Sequence, residues 1–391
     1  MKSSYKKLAP YIRQVDERNR NLEVSRLLGV SIEKRFIESI ANTIGTDMTS
    51  YKIVRKGQFA YGPVTSRNGD KVSIALLEED ECIISSSYIV FDITDTNTLL
   101  PEYLNLWFKR PEFDRYARFH SHGSAREIFD WEEMCNVTLP IPPIEEQQKI
   151  VDAYNAIERR IAIKRKINDN LESQAITLFK SYFITFEHFK GTNLPRLMTK
   201  SIYELSIEVT DFVANGSFTT LKENVNLLDG DGYAYYVRNT DLKSNTYTKY
   251  VDESSYQFLT KSKLKGREVI ISNVADVGSV YLCPYLDKPM TLGSNVIMLK
   301  SNENIWSIFM YLYFKYFKGR EQIIEITTGS AQPKFNKTAF RNLFFDCPED
   351  VTLKEFNREA TILFNLIDAN NEELRLLNDI ANQILYELSR R

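Results

Sequence analysis

Residues 123–129 read Gly-Ser-Ala-Arg-Glu-Ile-Phe, and residues 329–335 repeat the pattern as Gly-Ser-Ala-Gln-Pro-Lys-Phe, 206 residues further along the chain. The same offset relates two further pairs of segments, 106–108 (Leu-Trp-Phe) with 312–314 (Leu-Tyr-Phe) and Pro142 with Pro348. Three separate features that agree on one offset indicate an internal duplication. The chain of 391 residues is also longer than one hydrophobic core usually serves. We therefore expect two similar domains in tandem.

A long segment without glycine or proline follows the last proline of each copy. Its apolar residues recur alternately three and four positions apart, the spacing of a coiled-coil seam. The predicted seam includes Ile157, Ile161, Leu171 and Leu178 in the first segment and Leu363, Ile367, Leu377 and Ile384 in the second. One such stripe is typical of an amphipathic helix packed on its own domain, whereas two stripes of the same phase favour two helices packed together. Polar Lys164, Asn168 and Asn370 interrupt the seams and can fix the register of such a pair.

The order of elements in each copy predicts the fold class. Short β-branched runs bounded by turn signals lie upstream of each long helix, followed by a short helix, the Gly-Ser-Ala loop, a strand and the proline. The fold class is therefore α+β, with two α/β domains arranged as a tandem repeat and separated by two long helices that form an antiparallel coiled coil. We expect the first domain at 1–143, the first long helix at 144–187, the second domain at 188–348 and the second helix at 349–391.

Composition and charge describe a folded, cytoplasmic protein. The 43% hydrophobic fraction is that of a globular chain, and 50 basic against 52 acidic residues leave a net charge of −2. A nucleic-acid surface would then be a local patch. The sequence has no run of 18 apolar residues, so no membrane span is expected. Its polar start is not followed by an apolar segment, so no export signal is expected either. The cysteines are widely scattered and are interpreted as reduced thiols: Cys82, Cys135, Cys283 and Cys347. With only three histidines besides, the sequence predicts no metal site.

Motifs for catalysis are missing from the sequence. There is no G-x-x-x-x-G-K-[ST] phosphate loop, no G-x-G-x-x-G after a strand and no Asn-Pro-Pro-aromatic element of an amino methyltransferase. Ser124 and Ser330 lack the G-x-S-x-G frame of a nucleophilic serine. The sequence therefore favours a binding protein that is not an enzyme and holds no cofactor of its own.

Polar, turn-rich loops at corresponding places in the two copies are the candidate binding sites. Glycine and small residues permit close approach to phosphate, while Arg, Asn and Gln side chains can read base edges. Each loop alone is typical of a solvated turn, but paired occurrence favours function. The candidates in the first copy are Tyr61, Arg67, Asn68, His120, His122, Ser124 and Arg126. Those in the second copy are Arg238, Asn239, Asn273, Asn295, Thr328, Ser330, Gln332 and Lys334.

This architecture, together with residues 139–150 (Leu-Pro-Ile-Pro-Pro-Ile-Glu-Glu-Gln-Gln-Lys-Ile), resembles the specificity subunit of a type I restriction-modification system. The likeness covers essentially the whole chain, and the Leu-Pro-x-Pro-Pro-x-x-Glu-Gln entry to the helix is its most specific short signature. It implies a non-catalytic subunit with two target recognition domains. Each would read one half of a bipartite double-stranded DNA target, and the helices between them would set the unread spacer.

The same resemblance implies the partners of the chain. Two modification (methyltransferase) subunits would dock on the outer faces of the helices, bind S-adenosylmethionine and methylate adenine. Two restriction (motor-nuclease) subunits, which use ATP and Mg, would join through them, and no membrane is involved. Three other interpretations stay open. They are a fused restriction-methylation enzyme, a coiled-coil scaffold that does not bind DNA, and a specificity subunit of a related defence or methyltransferase-only system.

Overall fold

The computed structural model describes residues 5–39, 45–66, 68–123, 126–191, 193–205 and 207–390. The chain divides into two compact units, Met1–Ile163 with Leu374–Arg391, and Lys164–Glu373. The first unit therefore holds the first copy of the repeat, and the second unit holds the second copy. Each unit also contains part of each long helix.

The first copy runs from strand β1 to the long helix α4. Its strands are β1 Tyr5–Lys7, β2 Ile12–Val15, β3 Leu28–Val30, β4 Phe36–Glu38, β5 Lys52–Arg55, β6 Phe59–Tyr61, β7 Ile74–Leu76, β8 Glu81–Ile84, β9 Ile89–Ile93 and β10 Thr138–Pro140. Its helices are α1 Pro101–Phe108, α2 Pro111–Phe119, α3 Trp131–Asn136 and α4 Ile144–Phe183.

The second copy runs from strand β11 to the long helix α11. Its strands are β11 Leu197–Ser201, β12 Glu208–Asp211, β13 Leu227–Asp229, β14 Ala234–Val237, β15 Lys249–Val251, β16 Lys263–Leu264, β17 Val269–Ser272, β18 Val280–Leu282, β19 Met290–Leu292, β20 Val296–Lys300 and β21 Phe344–Pro348. Its helices are α5 Phe218–Asn224, α6 Asn239–Ser244, α7 Glu253–Phe258, α8 Ser307–Tyr316, α9 Lys318–Glu325, α10 Lys337–Arg341 and α11 Asp350–Glu387. Within the described ranges, no helix has the length and apolar character needed to cross a membrane.

Both units contain the same four-stranded antiparallel sheet. Its strand order is β2-β9-β6-β7 in the first unit and β12-β20-β17-β18 in the second. Three short helices follow each sheet, and a strand pair closes each copy, β1 with β10 and β11 with β21. Pro140 pairs with Tyr5, and Pro348 pairs with Leu197, so the last strand of each copy returns to the first just before the long helix begins. The structure confirms the predicted tandem repeat of mixed α/β domains.

The two copies differ in the strands that are inserted between those of the shared sheet. The first unit carries the small strand pairs β3-β4 and β5-β8. The second unit carries a five-stranded sheet of order β13-β15-β14-β19-β16, in which β14 and β19 are parallel. The strands that vary between the copies therefore form sheets of their own, separate from the shared sheet.

Local capping signals explain where the short helices start. Asp130 accepts a hydrogen bond from the backbone N–H of Glu133 at the start of α3, and Asn336 does the same for Ala339 at the start of α10. Side-chain caps of this kind satisfy one of the free N–H groups of a helix start. Pro101 and Pro111 occupy the first positions of α1 and α2, where the missing N–H costs nothing.

The ends of the long helices belong to the domain cores. Ile150 and Tyr154 of α4 are buried in the core of the first unit, with Leu385 from the end of α11. The core of the second unit contains the equivalent residues, Phe356 and Ala360 of α11 and Phe179 of α4, each 206 positions away. The two interpretations of the apolar stripes are thus both realised, since the helix ends pack on their domains and the middles pack on each other.

The middle of each seam joins the two helices. In the first unit, Ile161 of α4 is buried against Leu374 and Leu377 of α11, with Ile157 packed beside them. The early half of α4 therefore meets the late half of α11, which makes the pair antiparallel. Of the other predicted seam residues, Leu171 is buried, Leu178, Leu363 and Ile367 pack on the core of the second unit, and Ile384 packs on that of the first.

Candidate nucleic-acid interface

Each copy presents one loop closed by a pair of backbone hydrogen bonds. In the first unit, the N–H of His122 donates to the carbonyl of Ile128 over 3.0 Å, and the N–H of Ile128 donates back over 2.9 Å. In the second unit, Thr328 and Lys334 exchange the same two bonds, both at 2.8 Å. We call residues 122–128 and 328–334 the recognition loops. Two of their residues, Ser124 and Ala125, lie outside the described part of the chain.

A glycine at the same position makes each recognition loop possible. Gly123 has φ +130° and Gly329 has φ +89°, a region that residues with a Cβ atom rarely adopt. A Cβ added at Gly123 would lie 2.2 Å from the carbonyl oxygen of Arg126, and one at Gly329 would lie 2.8 Å from that of Gln332. The repeated glycine is therefore a requirement of loop geometry in both copies.

A second segment anchors the recognition loop of the first unit. The carbonyl of Pro63 accepts from the N–H of Phe129 over 2.8 Å, and the N–H of Thr65 donates to the carbonyl of Glu127 over 3.0 Å. The hydroxyl of Thr65 also bonds Ser121 over 3.0 Å. These bonds bring segment 62–68, with the predicted contact Asn68, beside the loop. The predicted contact Arg67 lies outside the described residues.

Three segments converge on the recognition loop of the second unit. The N–H of Ala275 donates to the carbonyl of Pro333 over 2.9 Å. The carbonyl of Asn273 accepts from Phe335 over 3.1 Å, and the N–H of Asn273 donates to the carbonyl of Asn295 over 3.2 Å. The Asn239 side chain donates to Asp276 over 3.0 Å. The fold thus gathers candidate residues that are far apart in the sequence.

Exposed side chains with different chemistry line the two loops. The predicted contacts that reach solvent are His122 and Arg126 in the first unit and Asn295, Thr328, Ser330, Gln332 and Lys334 in the second. Arg126 and Gln332 occupy equivalent loop positions, three residues after the glycine. Both side chains can form paired hydrogen bonds with a base edge, Arg with guanine and Gln with adenine. The two loops therefore carry side chains of different chemistry at this position.

The expected contact by Tyr61 is corrected by the structure. Its side chain is completely buried, with edge-to-face contacts to Phe91 and Phe129. Burial also raises the pKa of its phenol far above the usual value. Tyr61 therefore supports the recognition loop from the core and does not reach a ligand.

Two further predicted contacts, Arg238 and Asn273, use their side chains to bond neighbouring protein groups. The guanidinium of Arg238 binds the carboxylate of Asp241 through Nε at 2.8 Å and Nη2 at 2.6 Å, at the start of α6. The side chain of Asn273 donates to the carbonyl of Phe335 over 3.4 Å, and its Oδ1 is buried. Arg238 therefore orders its own segment at the start of α6, and Asn273 holds its segment against the end of the recognition loop.

Sequence reasoning missed the carboxylates that order these loops. Glu133 lies between two predicted contacts, 3.1 Å from Nδ1 of His120 and 3.8 Å from Nε2 of His122. In the second unit, hydrogen bonds from Asn239 and Ser279 lower the pKa of Asp276. Carboxylates are not expected on a surface for an anionic ligand, and the sequence signals these two by their proximity to the candidate loops.

Comparison with known proteins identifies the family. The family model described as "Type I restriction modification DNA specificity domain" matches residues 33–173 and 204–382, most of the chain. The type I restriction enzyme MjaIX specificity subunit of Methanocaldococcus jannaschii is 23% identical over 313 residues, 76% of this chain and 70% of that protein. The type I restriction enzyme HindI specificity subunit of Haemophilus influenzae is 26% identical over 162 residues, 41% of this chain and 35% of that protein.

A solved structure has the same fold. The S subunit of a type I restriction-modification system from M. genitalium superimposes with a TM-score of 0.58 at 15% identity, covering 99% of this chain and 96% of that one. The two matched segments of the family model each begin within one copy of the repeat and extend into the long helix that follows it. The chain belongs to the family of DNA specificity subunits of type I restriction-modification systems.

Proposed function

We propose that this specificity subunit binds a bipartite double-stranded DNA target, with one recognition loop and its anchoring segments reading each half-site. The observation that carries the proposal is the repeated loop, with the same closing bonds and the same glycine in both units. A rigid backbone frame that presents exchangeable side chains suits base reading, because phosphate contacts position a protein and side chains on base edges specify the sequence. Since Arg126 and Gln332 differ at the equivalent position, the two half-sites should differ in sequence.

Docking of partner subunits on the long helices is the second part of the proposal. Large apolar side chains stand exposed on both helices, Ile163, Leu376 and Ile380 in the first unit and Ile167, Ile362 and Leu366 in the second. Exposed apolar surface on a folded protein is typical of an interaction site. A modification subunit is the partner that this family implies.

Two grooves at equivalent positions support two copies of that partner. One groove of about 410 Å³ in the first unit is lined by Ile380, Gln383 and Ile384 of α11. Another of about 410 Å³ in the second unit is lined by Gln174, Thr177 and Leu178 of α4, each 206 positions earlier. A duplicated surface of this kind suits two identical modification subunits, with two restriction subunits joining through them.

The proposal places the chemistry in the partners. S-adenosylmethionine, ATP and Mg would be bound by the modification and restriction subunits, and this chain would act in the cytoplasm without a cofactor of its own. Its role is to choose the DNA sequence and to hold the catalytic subunits there.

Salt-dependent binding separates this function from a scaffold that does not touch DNA. The purified complex of this chain with its modification subunit should bind target DNA with log K falling linearly as log salt rises, because phosphate contacts release counterions. A matched complex with Arg126→Ala and Gln332→Ala should lose discrimination between target and random DNA. Binding that is weak, insensitive to salt and equal on both DNAs would favour the scaffold.

A further inference from the structure

A cluster of polar side chains interrupts the apolar seam between the two long helices. Lys164 donates to Oδ1 of Asn370 over 2.8 Å and lies 2.7 Å from the carboxylate of Glu373. Asn168 donates to Asn371 over 2.9 Å and accepts from Asn370 over 2.8 Å. We call these five residues the polar centre. Every one of these contacts joins α4 to α11 within the second unit.

The polar centre is partly removed from water. Asn370 is 8% exposed, and the side chains of Lys164 and Glu373 are 23% and 27% exposed. A charge at such a depth needs an opposite charge or hydrogen-bond partners, because a lone one keeps most of its desolvation cost. The pairing of Lys164 with Glu373 therefore depends on which helix lies opposite α4.

The repeat shows where the symmetry of the helix pair lies. Lys164 and Asn370 are equivalent positions, 206 residues apart, and they contact each other directly. In an antiparallel pair of equivalent helices, a position that contacts its own equivalent marks the centre. The contacts that a pair of identical helices would make in the same register can be read from this relation.

Two copies of α4 would bring like charges together. Lys164 would face a second Lys164, and Ile167, the equivalent of Glu373, would replace its carboxylate partner. Asn168 would face Arg165, the equivalent of Asn371. Like charges that face each other across a coiled coil are destabilising. An α4 pair from two chains is therefore disfavoured at its centre.

Two copies of α11 would lack the lysine that pairs with the carboxylate. Asn370 would face a second Asn370, and each Glu373 would lose its contact with Lys164. Leu374, the equivalent of Asn168, would then lie against Asn370 and Asn371 in place of an amide. Only the α4–α11 pair joins the ammonium, the carboxylate and the amides in one hydrogen-bonded set.

We propose that the polar centre selects the helix partner, so that α4 pairs with α11 and neither helix pairs with its own copy from a second chain. Buried polar groups at single seam positions can specify pairing in this way at a cost in stability. The inference rests on the helix contacts alone and does not depend on DNA binding. Its consequence is that every helix pair combines one α4 with one α11.

The first test uses two differently tagged copies of the full chain, expressed together and purified through one tag. The wild-type chain should bring down little of the second copy. The triple variant Lys164→Leu, Asn168→Leu and Asn370→Leu makes the seam apolar, and it should raise co-purification at least about tenfold while raising the melting temperature. The matched control is Lys166→Leu, the same change at an exposed position on α4, which should leave co-purification unchanged.

The second test reverses the charges and measures thermal unfolding and mass by native mass spectrometry. Lys164→Glu and Glu373→Lys should each lower the melting temperature by roughly 2 to 4 °C, and the double variant should recover most of the loss. A triple variant that stays as strictly monomeric as the wild type would overturn the proposal. Charge reversals that show no recovery in the double variant would overturn it as well.

Discussion

Arg126 and Gln332 show at the scale of one residue how a duplicated loop can serve two different half-sites. They stand three positions after Gly123 and Gly329, are exposed, and differ in hydrogen-bonding chemistry. The loop backbone is held by Thr65 and Glu127 in the first unit and by Ala275 and Pro333 in the second. These side chains can therefore change without disturbing the fold.

Alanine substitutions should separate the two half-sites. Arg126→Ala should weaken or relax recognition of one half-site only, and Gln332→Ala or Lys334→Ala should affect only the other, each by about 1 to 3 kcal/mol if a base contact is lost. Binding to DNA with either half-site scrambled measures this. Arg159→Ala, at an exposed position on α4, is the control. Loss at the same half-site from both loops would refute the assignment of one loop to each half.

Gly329 should be required for DNA affinity, whereas Gly230, which has the same backbone φ angle, should not. Gly329→Ala places a Cβ 2.8 Å from the Gln332 carbonyl, so the recognition loop must shift and affinity for one half-site should fall. Gly230 has the same φ of +89° with open space around it, so Gly230→Ala should cost only about 1 to 2 kcal/mol of backbone strain. Thermal unfolding and DNA affinity of the two variants make the comparison. Equal DNA affinity in both would contradict the role of Gly329.

The recognition loops could be predicted from sequence because their motif occurs twice, but the depth of each side chain could not. Tyr61 sits in a polar-looking segment, yet every residue of β6 is buried and two aromatic rings, Phe91 and Phe129, pack against it inside the core. Glu133 and Asp276 became visible only when folding brought them beside His120 and Asn239. Contacts between distant segments leave no local signal.

Gln147 joins the start of the long helix α4 to the loop that precedes α1. Its side chain is fully buried, accepts from the N–H of Leu100 over 2.9 Å and donates to the carbonyls of Thr98 and Pro142 over 2.9 and 2.8 Å. The Pro-Pro-x-x-Glu-Gln motif therefore has a structural reason, since its last residue fixes the loop before α1 to the start of the long helix.

Removing this side chain should loosen the first unit. Gln147→Ala leaves the N–H of Leu100 and two carbonyls without their partner in the interior, which should cost about 1 to 3 kcal/mol. Gln148→Ala is the control, because that side chain is exposed and bonds only Asp152 four residues later. Denaturant unfolding compares them. Equal stability of the two variants would contradict the anchoring role of Gln147.

The length of the helices should set the spacer of the DNA target. Helix α4 has 40 residues and is about 60 Å long. Adding seven residues to the middle of both long helices keeps the seam in phase and adds about 10.5 Å, or roughly three base pairs. The methylated motif of the variant should keep both half-sites and gain a longer gap. A changed half-site with an unchanged gap would contradict the ruler.

The long helices could be predicted from the sequence because each follows the last proline of its copy and carries a heptad spacing of apolar residues. What the spacing could not show is that Tyr154 and Phe179 pack into domain cores, while Ile161 packs on the other helix. A seam position is apolar in either case. Only the folded chain shows which neighbour covers it.

The whole molecule follows from one duplication. The same four-stranded sheet, three helices and closing strand pair occur in both units, and the duplication was detectable because the loop, an aromatic helix segment and the proline before each long helix match at one offset. The first unit has small strand pairs where the second has a five-stranded sheet, so a comparison between the copies could not reveal the order of that sheet. The parts that repeat carry the frame, and the inserted sheet is specific to one copy.

The most direct test of the central claim is single-molecule methylation sequencing of DNA from cells that express this chain with its modification subunit. Matched cells lacking only this chain are the control. The account predicts a new methylated-adenine motif made of two different short blocks around a fixed gap. Absence of any new motif, while the same modification subunit methylates DNA with another specificity chain, would contradict it.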